Sequence, residues 1–322
     1  MIQNYINKLN NLGKNKIPFL FMIDFEFKKP IVYPLSELPE NILFDIPGFC
    51  NCNPTERLTD KPVKIKKFPV SFDQYQQAFD FVKSQLLYGN TYLLNLTMPT
   101  KIESNISLDE IFKSSSAKFR LKFRDEFVCF SPEIFVRIKD GEISSYPMKG
   151  TIDARIDHAA DKIIQSNKEF SEHNTIVDLI RNDLSMVAKK VRVKRFRYID
   201  KIVTNESELL QVSSEITGLL ADDYADRIGD LLFKLLPAGS VSGAPKRKTL
   251  EIIKAAEKID RGYYTGIFGV FDGNILESAV MIRYIEQVED QFVYRSGGGI
   301  TALSNAQSEY QELIDKVYVP II

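Results

Sequence analysis

The chain has 322 residues, with 42 basic and 43 acidic side chains and a formal net charge of −1. Hydrophobic residues make up 44% and charged residues 26%, which excludes a disordered chain, a collagen-like repeat and a disulfide scaffold. A net charge this close to zero also argues against a nucleic acid or an anionic membrane as the main partner.

The cysteines and the N-terminal residues indicate a cytoplasmic protein. Cys50, Cys52 and Cys129 are too few for a disulfide framework. The first two form a lone C-x-C without the Cys or His companions of a zinc site, so we expect reduced thiols. The N-terminus lacks the apolar stretch of a signal peptide, and no run approaches the ~20 apolar residues of a membrane span.

The first elements in chain order are strands and a well-marked helix. Residues 17–33 are rich in Phe, Ile and Val, which predicts strand structure interrupted by prolines. Ser71 is placed as an N-cap, Gln74 completes a capping box, and Gly89 is placed to end the helix. Its apolar positions recur at helical spacing, at Tyr75, Phe79, Val82 and Leu86.

The central region reads as a meander followed by one long helix. Residues 119–147 predict four short antiparallel strands, FRLKF, EFVCF, IFVRI and EISSY, with the clearest turn at Asp140 and Gly141. Residues 157–188 predict a single helix. Its buried side would carry Ile163, Ile164, Phe170, Ile176, Val177, Ile180 and Leu184.

The C-terminal region mixes helices and strands without regular βαβ alternation. One helix should end at Leu236, another should begin after Pro245, and a last one should follow Ser304. The predicted strands are 266–271, 279–286 and 291–295. These blocks predict an α+β fold. Because no linker is evident, we expect a single domain over residues 1–322.

Two pairs of glutamates at i, i+3 spacing are candidate metal ligands. Glu169 and Glu172 lie on the central helix, and Glu309 and Glu312 lie on the last one. Each pair projects two carboxylates from one helical face, and four converging carboxylates would suit Mg²⁺. E-x-x-E is also common on solvated helices, so the residues alone leave both interpretations open.

Two small-residue segments are candidate anion sites. Residues 239–246 precede a helix start, where free backbone N–H groups could bind an anion. Residues 296–299, S-G-G-G, could form a second backbone anion nest after a strand. Either segment could instead be a tight turn.

Lys149 and Glu133 are the candidate acid, base or nucleophile. Lys149 follows a strand in P-M-K-G-T, and Glu133 lies in S-P-E. A lysine facing a buried site can be a nucleophile, and a nearby carboxyl can exchange protons with it. A solvated surface lysine is the alternative.

Taken together, an ordered series of motifs resembles the chorismate-utilising enzymes, most specifically their aminodeoxychorismate synthase component I branch. The likeness covers roughly residue 70 to the C-terminus. The matching stretches are G-N-T-Y-L-L-N-L-T (89–97), S-P-E (131–133), P-M-K-G-T (147–151), E-H (172–173), V-D-L-I-R-N-D-L (177–184), S-G-A-P-K (242–246), I-R (282–283), S-G-G-G (296–299) and E-Y-Q-E-L-I-D-K (309–316).

The resemblance implies two packed, largely antiparallel β-sheets flanked by helices, with the active site between the sheets. Residues 71–322 would form the chorismate-binding catalytic core, and residues 1–70 would be a shortened N-terminal part. It also implies Mg²⁺, with Glu172 and Glu312 as direct ligands and Glu169 and Glu309 acting through bound water.

By motif position, the resemblance also assigns the groups that hold the substrate. Arg283, Lys316 and the backbone of Gly297 and Gly299 would bind its carboxylates. Ser240 stands where the family has a small hydroxyl residue near the ring, and Tyr264 is a further candidate for substrate binding.

Lys149 implies the subfamily, since anthranilate synthases usually carry alanine at this motif position. In the lysine enzymes, Lys149 would attack ring carbon 2 while Glu133 protonates the departing hydroxyl of carbon 4. Ammonia, from solution or from a separate glutamine amidotransferase subunit, would then give 4-amino-4-deoxychorismate for p-aminobenzoate and folate synthesis. The alternatives are an anthranilate synthase component I, an isochorismate synthase that adds water without needing ammonia, and a catalytically silent chorismate-binding protein.

Overall fold

The structure, a computed structural model, describes residues 2–52, 63–203 and 208–320. Its helices are α1 (Ile2–Lys14), α2 (Phe72–Leu87), α3 (Leu108–Ser114), α4 (Ala159–Gln165), α5 (Asn167–Ser185), α6 (Ile228–Leu235), α7 (Gly239–Ser242), α8 (Lys246–Glu257) and α9 (Ala306–Asp315). Its strands are β1 (Phe19–Ile23), β2 (Ile31–Pro34), β3 (Ile42–Ile46), β4 (Phe49–Cys50), β5 (Ile65–Pro69), β6 (Leu93–Ser104), β7 (Phe119–Phe123), β8 (Phe127–Ser131), β9 (Ile134–Lys139), β10 (Glu142–Ser145), β11 (Met148–Asp153), β12 (Lys189–Val203), β13 (Glu208–Leu219), β14 (Gly243–Ala244), β15 (Ile267–Phe271), β16 (Leu276–Val280), β17 (Tyr284–Val288) and β18 (Gln291–Ile300).

The strands form two large antiparallel sheets. Sheet A has the order β11-β13-β10-β9-β16-β15-β1-β2, and β12 also pairs with β13. Sheet B has the order β14-β6-β18-β17-β8-β7-β3-β4, and β5 also pairs with β6. The expected α+β fold of two largely antiparallel sheets with flanking helices is confirmed. The N-terminal residues are part of both sheets, because β1 and β2 join sheet A while β3 and β4 join sheet B.

Strand β1 shows how alternating side chains hold the layers together. Phe19, Phe21 and Ile23 belong to the apolar cluster that also includes residues of α1 and α6. Leu20 and Met22 point the other way, into a cluster with sheet B residues such as Phe44 and Phe127. Successive strand residues face opposite sides. Burying each such side chain contributes roughly 1.5–3 kcal/mol.

The helix predicted from Ser71 is confirmed together with its cap. Ser71 Oγ accepts a hydrogen bond from Gln74 N at 3.3 Å, and Gln74 Oε1 accepts one from Ser71 N at 3.3 Å. Gly89, just after the helix, has a φ of +86°. This left-handed conformation favours glycine and ends the helix.

The meander predicted over residues 119–147 is wrong in its connections. Strands β7 and β8 pair in sheet B, whereas β9 and β10 pair in sheet A. The chain crosses between the sheets at Ser131, Pro132 and Glu133. Because Pro has no backbone N–H, Pro132 suits a segment that leaves a strand ladder.

The strand predicted over residues 279–286 is also divided between the sheets. Strand β16 ends at Val280 in sheet A, and β17 begins at Tyr284 in sheet B. Arg283 lies in this second crossover with a φ of +55°. Periodicity along the chain cannot distinguish one apolar strand from two short strands in different layers.

Two further predictions need correction. The long helix over residues 157–188 is two helices, because Ser166 is extended and caps α5 through a bond from Glu169 N. Phe170, expected on the buried side, is 44% exposed and packs edge-on against Phe196.

The glycines of residues 296–299 lie neither in a nest nor in a turn but within β18, paired with β6.

Glycine is needed in β18 for close packing. A Cβ on Gly297 would lie 2.6 Å from Thr97 Cγ2 and 2.7 Å from Leu96 O.

No helix in the described ranges has the length and apolar content required to cross a bilayer.

Candidate functional site

A cavity of about 860 Å³ contains most of the predicted site residues. Its lining comes from both sheets, from the two crossovers and from helices α5, α7 and α9. A cavity of this size accommodates a small organic molecule. The predicted residues that line it are Glu133, Lys149, Glu172, Ser240, Tyr264, Arg283, Gly297, Gly299, Glu309 and Lys316.

The two crossovers lie side by side and place Glu133 and Arg283 in the cavity wall. Val280 N donates to Glu133 O at 3.1 Å, and Phe130 N donates to Arg283 O at 3.0 Å. Ser131 Oγ also accepts from Glu133 N at 3.1 Å. The backbone at both positions is therefore fixed by hydrogen bonds between segments about 150 residues apart.

Glu133 is held as a weak acid. Burial raises the pKa of its carboxyl, and a hydrogen bond donated by Ser240 Oγ to Oε1 opposes that rise. The charges of Arg283 and Lys316 oppose it further, but burial outweighs all three. A carboxyl with a raised pKa retains its proton at higher pH and can serve as a general acid.

Lys149 is paired with a carboxylate that also lines the cavity. Its Nζ lies 2.8 Å from Glu172 Oε2. Burial by itself would lower the pKa of Lys149, but Glu172, Glu312 and Glu169 together outweigh burial and raise it. The raised pKa favours the ammonium form of Lys149, which must lose a proton before the side chain can act as a nucleophile.

The four predicted metal ligands are only partly assembled. Glu172 and Glu309 line the cavity, whereas Glu312 Oε1 lies 2.6 Å from Lys316 Nζ in an adjoining surface cleft. Glu169 Oε2 lies beside Gly150, 2.9 Å from where a Cβ would stand. Within the described ranges, no three acidic, histidine or cysteine side chains are grouped to hold one ion.

The chemistry of these donors nevertheless fits a hard cation. Carboxylate oxygens are the ligands that Mg²⁺ prefers. The negative charges of Glu172, Glu312 and Glu169 all favour a positive charge on Lys149 by raising its pKa. The assignment of the four glutamates to a metal stays a prediction.

Cationic groups suited to carboxylates also line the cavity. Arg283 Nε is buried and has no hydrogen-bond partner among the described residues. Lys316 Nζ donates to Gly297 O at 2.9 Å, and burial lowers the pKa of Lys316 against the attraction of Glu312. Strand β17 begins at Tyr284, which pairs with Arg295 of β18. The residues of β18 after Arg295, which include Gly297 and Gly299, therefore pair with β6 alone.

Sequence reasoning missed Asn95, a cavity residue from β6. Its Oδ1 is buried and lacks a hydrogen-bond partner in the described part of the chain. The backbone of Asn95 pairs with Gly299. Its only signal in the sequence was its place in the G-N-T-Y-L-L-N-L-T stretch, which had no role attached.

Two ion pairs that were not predicted, one half-buried and one fully buried, lie near the segment that carries Ser240. Lys246 Nζ lies 2.8 Å from Asp183 Oδ2 and joins α8 to α5. Arg261, 1% exposed, pairs with Glu257 and donates to Val241 O at 2.8 Å. These pairs fix the segment that carries Ser240. Lys246 and Asp183 are 63 positions apart, so no local pattern indicates their pairing, whereas Arg261 and Glu257 are only four residues apart.

Comparison with known proteins gives a family for the sequence. A sequence profile described as chorismate binding enzyme matches residues 37–321. A Haemophilus influenzae protein described as an uncharacterized PabA-like protein is 54% identical over 321 residues, which are 99% of this chain and 97% of the relative. Aminodeoxychorismate synthase component 1 of Bacillus subtilis is 31% identical over 301 residues, 88% of this chain and 62% of that protein.

Solved structures agree on the fold. MenF, the menaquinone-specific isochorismate synthase from Escherichia coli, is similar with a TM-score of 0.72 and 16% identity, over 98% of this chain and 80% of that one. Anthranilate synthase component I from Streptococcus pneumoniae has a TM-score of 0.67 and 24% identity, over 80% of this chain and 59% of that one. At these identities the likeness concerns the fold alone.

Proposed function

Because the chain belongs to the chorismate-binding enzyme family, we propose that it is an aminodeoxychorismate synthase component I. It would convert chorismate and ammonia to 4-amino-4-deoxychorismate through a covalent bond to Lys149. The observation that carries this proposal is the position of Lys149 in the same cavity as the weak acid Glu133 and the cation Arg283.

The substrate carboxylates would bind at the crossover wall. Arg283 offers a buried N–H without a partner in the described chain, and an unsatisfied buried group costs about 1–3 kcal/mol, more when charged. A ligand carboxylate would remove that cost. Lys316 and the backbone of Gly297 and Gly299 line the same space and would complete the binding of an anion.

Lys149 and Glu133 would carry the chemical steps. After losing its proton, Lys149 Nζ attacks ring carbon 2, and the carbon-4 hydroxyl takes a proton from Glu133 and leaves as water. Ammonia then adds at carbon 4, the bond to Lys149 breaks, and the enolpyruvyl group is retained. Ser240 orients the Glu133 carboxyl through its hydrogen bond.

Glu172 and Glu312 would hold Mg²⁺ directly, with Glu169 and Glu309 acting through water. Bound Mg²⁺ supplies positive charge that neutralises a substrate carboxylate. The ion pairs in which Lys149 and Lys316 now engage Glu172 and Glu312 would have to loosen for this.

Ammonia would come from solution or from a separate glutamine amidotransferase subunit. The two histidines of the chain are engaged elsewhere, since His173 Nε2 bonds Ser214 Oγ at 2.7 Å and His158 Nδ1 lies 3.5 Å from Asp161. A nucleophilic cysteine paired with histidine, as glutamine hydrolysis by a cysteine requires, is therefore missing from the described residues.

The test is to incubate the protein with chorismate, Mg²⁺ and ammonium and to identify the products by mass spectrometry. We expect an aminated product that keeps its enolpyruvyl group. It should be lost in Lys149→Ala and without Mg²⁺, but retained in Lys139→Ala, which changes an exposed lysine at the end of β9.

Other products would overturn the proposal in defined ways. Pyruvate with anthranilate would identify an anthranilate synthase component I and remove the diagnostic value of Lys149. Chorismate binding without turnover, even with an amidotransferase added, would identify a catalytically silent chorismate-binding protein.

A further inference from the structure

The C-x-C pair lies outside the cavity lining and brings two thiols into contact. Cys50 ends strand β4 and is exposed, and Cys52 is half-buried. Their Sγ atoms are 3.2 Å apart. Cys50 Sγ also donates to Cys52 O at 2.9 Å and accepts from Cys52 N at 3.3 Å. The two thiols therefore face each other, and Cys50 is at the same time open to solvent.

The residue between the cysteines holds this geometry in place. Asn51 Oδ1 accepts from Phe44 N at 2.7 Å, Asn51 Nδ2 donates to Ile42 O at 2.8 Å, and Asn51 N donates to Phe44 O at 3.2 Å. Three hydrogen bonds to β3 thus fix the backbone from which both thiols project. A zinc ion would need four ligands, and the described residues contain no group of even three.

We propose that Cys50 and Cys52 form a redox-active dithiol, a modification site that small-molecule disulfides such as glutathione disulfide oxidise to an intramolecular disulfide. The Cys50 thiolate attacks one glutathione sulfur and releases the first glutathione. Cys52 then attacks Cys50 Sγ, breaks the mixed disulfide and releases the second. The two cysteines lose two electrons and two protons, which reduce one glutathione disulfide to two glutathione thiols.

The surroundings assign different roles to the two thiols. Burial, followed by the hydrogen bond and charge of Cys50, raises the pKa of Cys52 to about 12. Exposed Cys50 is therefore the thiol that meets the external disulfide, and Cys52 resolves the mixed disulfide from contact distance. Bond formation requires the sulfurs to move about 1.2 Å closer, to the usual S–S length.

The experiment is to treat the native protein with glutathione disulfide and to measure intact mass and peptide masses without reduction. We expect the wild type to lose the mass of two hydrogen atoms, with Cys50 joined to Cys52 and no glutathione retained. Dithiothreitol should restore the original mass. Cys52→Ser should keep one glutathione on Cys50, and Cys50→Ser should react at least about tenfold more slowly.

Cys129→Ser provides the matched control. Cys129 is fully buried and its Sγ donates to Ile282 O at 3.3 Å, so this variant should react as the wild type does. A wild type that stays reduced, that retains a stable glutathione adduct, or that forms a disulfide with Cys129 would overturn the proposal. Each outcome is read on the thiols and does not depend on chorismate turnover.

Discussion

Two walls of the cavity differ in whether their charged groups are paired with each other. On one wall, β11 and α5 bring Lys149 against Glu172 at 2.8 Å, so a cation and an anion neutralise each other. On the other wall, the sheet crossovers present Glu133, whose pKa is raised by burial, and Arg283, whose Nε lacks a partner among the described residues. We call the first the balanced wall, because its charges are paired. We call the second the open wall, because Arg283 Nε has no hydrogen-bond partner among the described residues.

This difference assigns binding and chemistry to different places. A buried guanidinium N–H without a hydrogen-bond partner is costly until an acceptor reaches it, so the crossover wall favours a carboxylate ligand. The lysine on the balanced wall becomes reactive only when its pairing with Glu172 changes. Five predictions test this difference and are given in decreasing order of expected effect.

Lys149→Arg should abolish amination while preserving the balanced wall. Arginine keeps the positive charge beside Glu172, but its guanidinium does not lose a proton in proteins and cannot form the covalent bond. We expect kcat to fall by at least about 10³-fold. Product quantification under saturating chorismate checks this. Activity near the wild-type level would mean that the charge, and not a nucleophile, is what Lys149 supplies.

Glu133→Gln should remove the acid while leaving the crossover shape unchanged. Glutamine still accepts a hydrogen bond from Ser240 Oγ but has no acidic proton. Loss of a general acid should lower kcat by about 10²-fold or more, with little change in KM. Steady-state kinetics separates the two constants. A rise in KM alone would instead make Glu133 a binding residue.

Arg283→Lys should weaken the open wall specifically. Lysine retains one positive charge but loses the planar fork that binds a carboxylate through two N–H groups. We expect KM for chorismate to rise about tenfold, equivalent to about 1.4 kcal/mol, with kcat changed less. Arg155→Lys, an exposed arginine, serves as the control. Equal kinetics in both variants would remove Arg283 from substrate binding.

Asn95→Ala tests the unpartnered acceptor on β6. If Asn95 Oδ1 bonds the substrate, its loss should raise KM roughly threefold, the value of one neutral hydrogen bond. The melting temperature should not fall, because the described residues give this oxygen no partner to lose. A lower melting temperature with unchanged KM would show a structural role instead.

The smallest effect concerns the pH dependence of stability. Burial raises the pKa of Glu133 above its ordinary value of 4.5, so the folded state holds a proton that the unfolded state has already released. Wild-type stability should therefore decrease relative to Glu133→Gln as pH rises from about 4.5 through the raised pKa. Urea unfolding at several pH values measures this. A constant difference would mean that folding does not perturb the carboxyl.

Local patterns predicted much of the secondary structure. The capping box at Ser71, the proline before α8 and the apolar residues of β7 and β8 depend on neighbours within a few positions. Where the local sequence pattern predicted the wrong element, pairing with a strand distant in sequence determined the structure. The composition of residues 296–299 predicted an anion nest or a tight turn, but pairing with β6 makes them strand because glycine permits the close approach.

The features of the candidate site also divide into those that the sequence predicted and those that depend on distant partners. Its motif residues could be named from the chain, and most of them line one cavity. The contact of Lys149 with Glu172, the unpartnered Asn95 and the buried support from Asp183 and Lys246 could not be named. The grouping of the four glutamates around a metal stays a prediction.

The sequence by itself determined where helices are capped, which segments can be strands and which residue types could perform the chemistry, because these properties are set by covalent neighbours. Only the tertiary structure decided which strands share a sheet, and therefore that the chain crosses between sheets at Glu133 and again at Arg283. The bond from Val280 N to Glu133 O joins residues almost 150 positions apart. Such pairings depend on the free energy of burying both sheets together, which no local stretch of sequence contains.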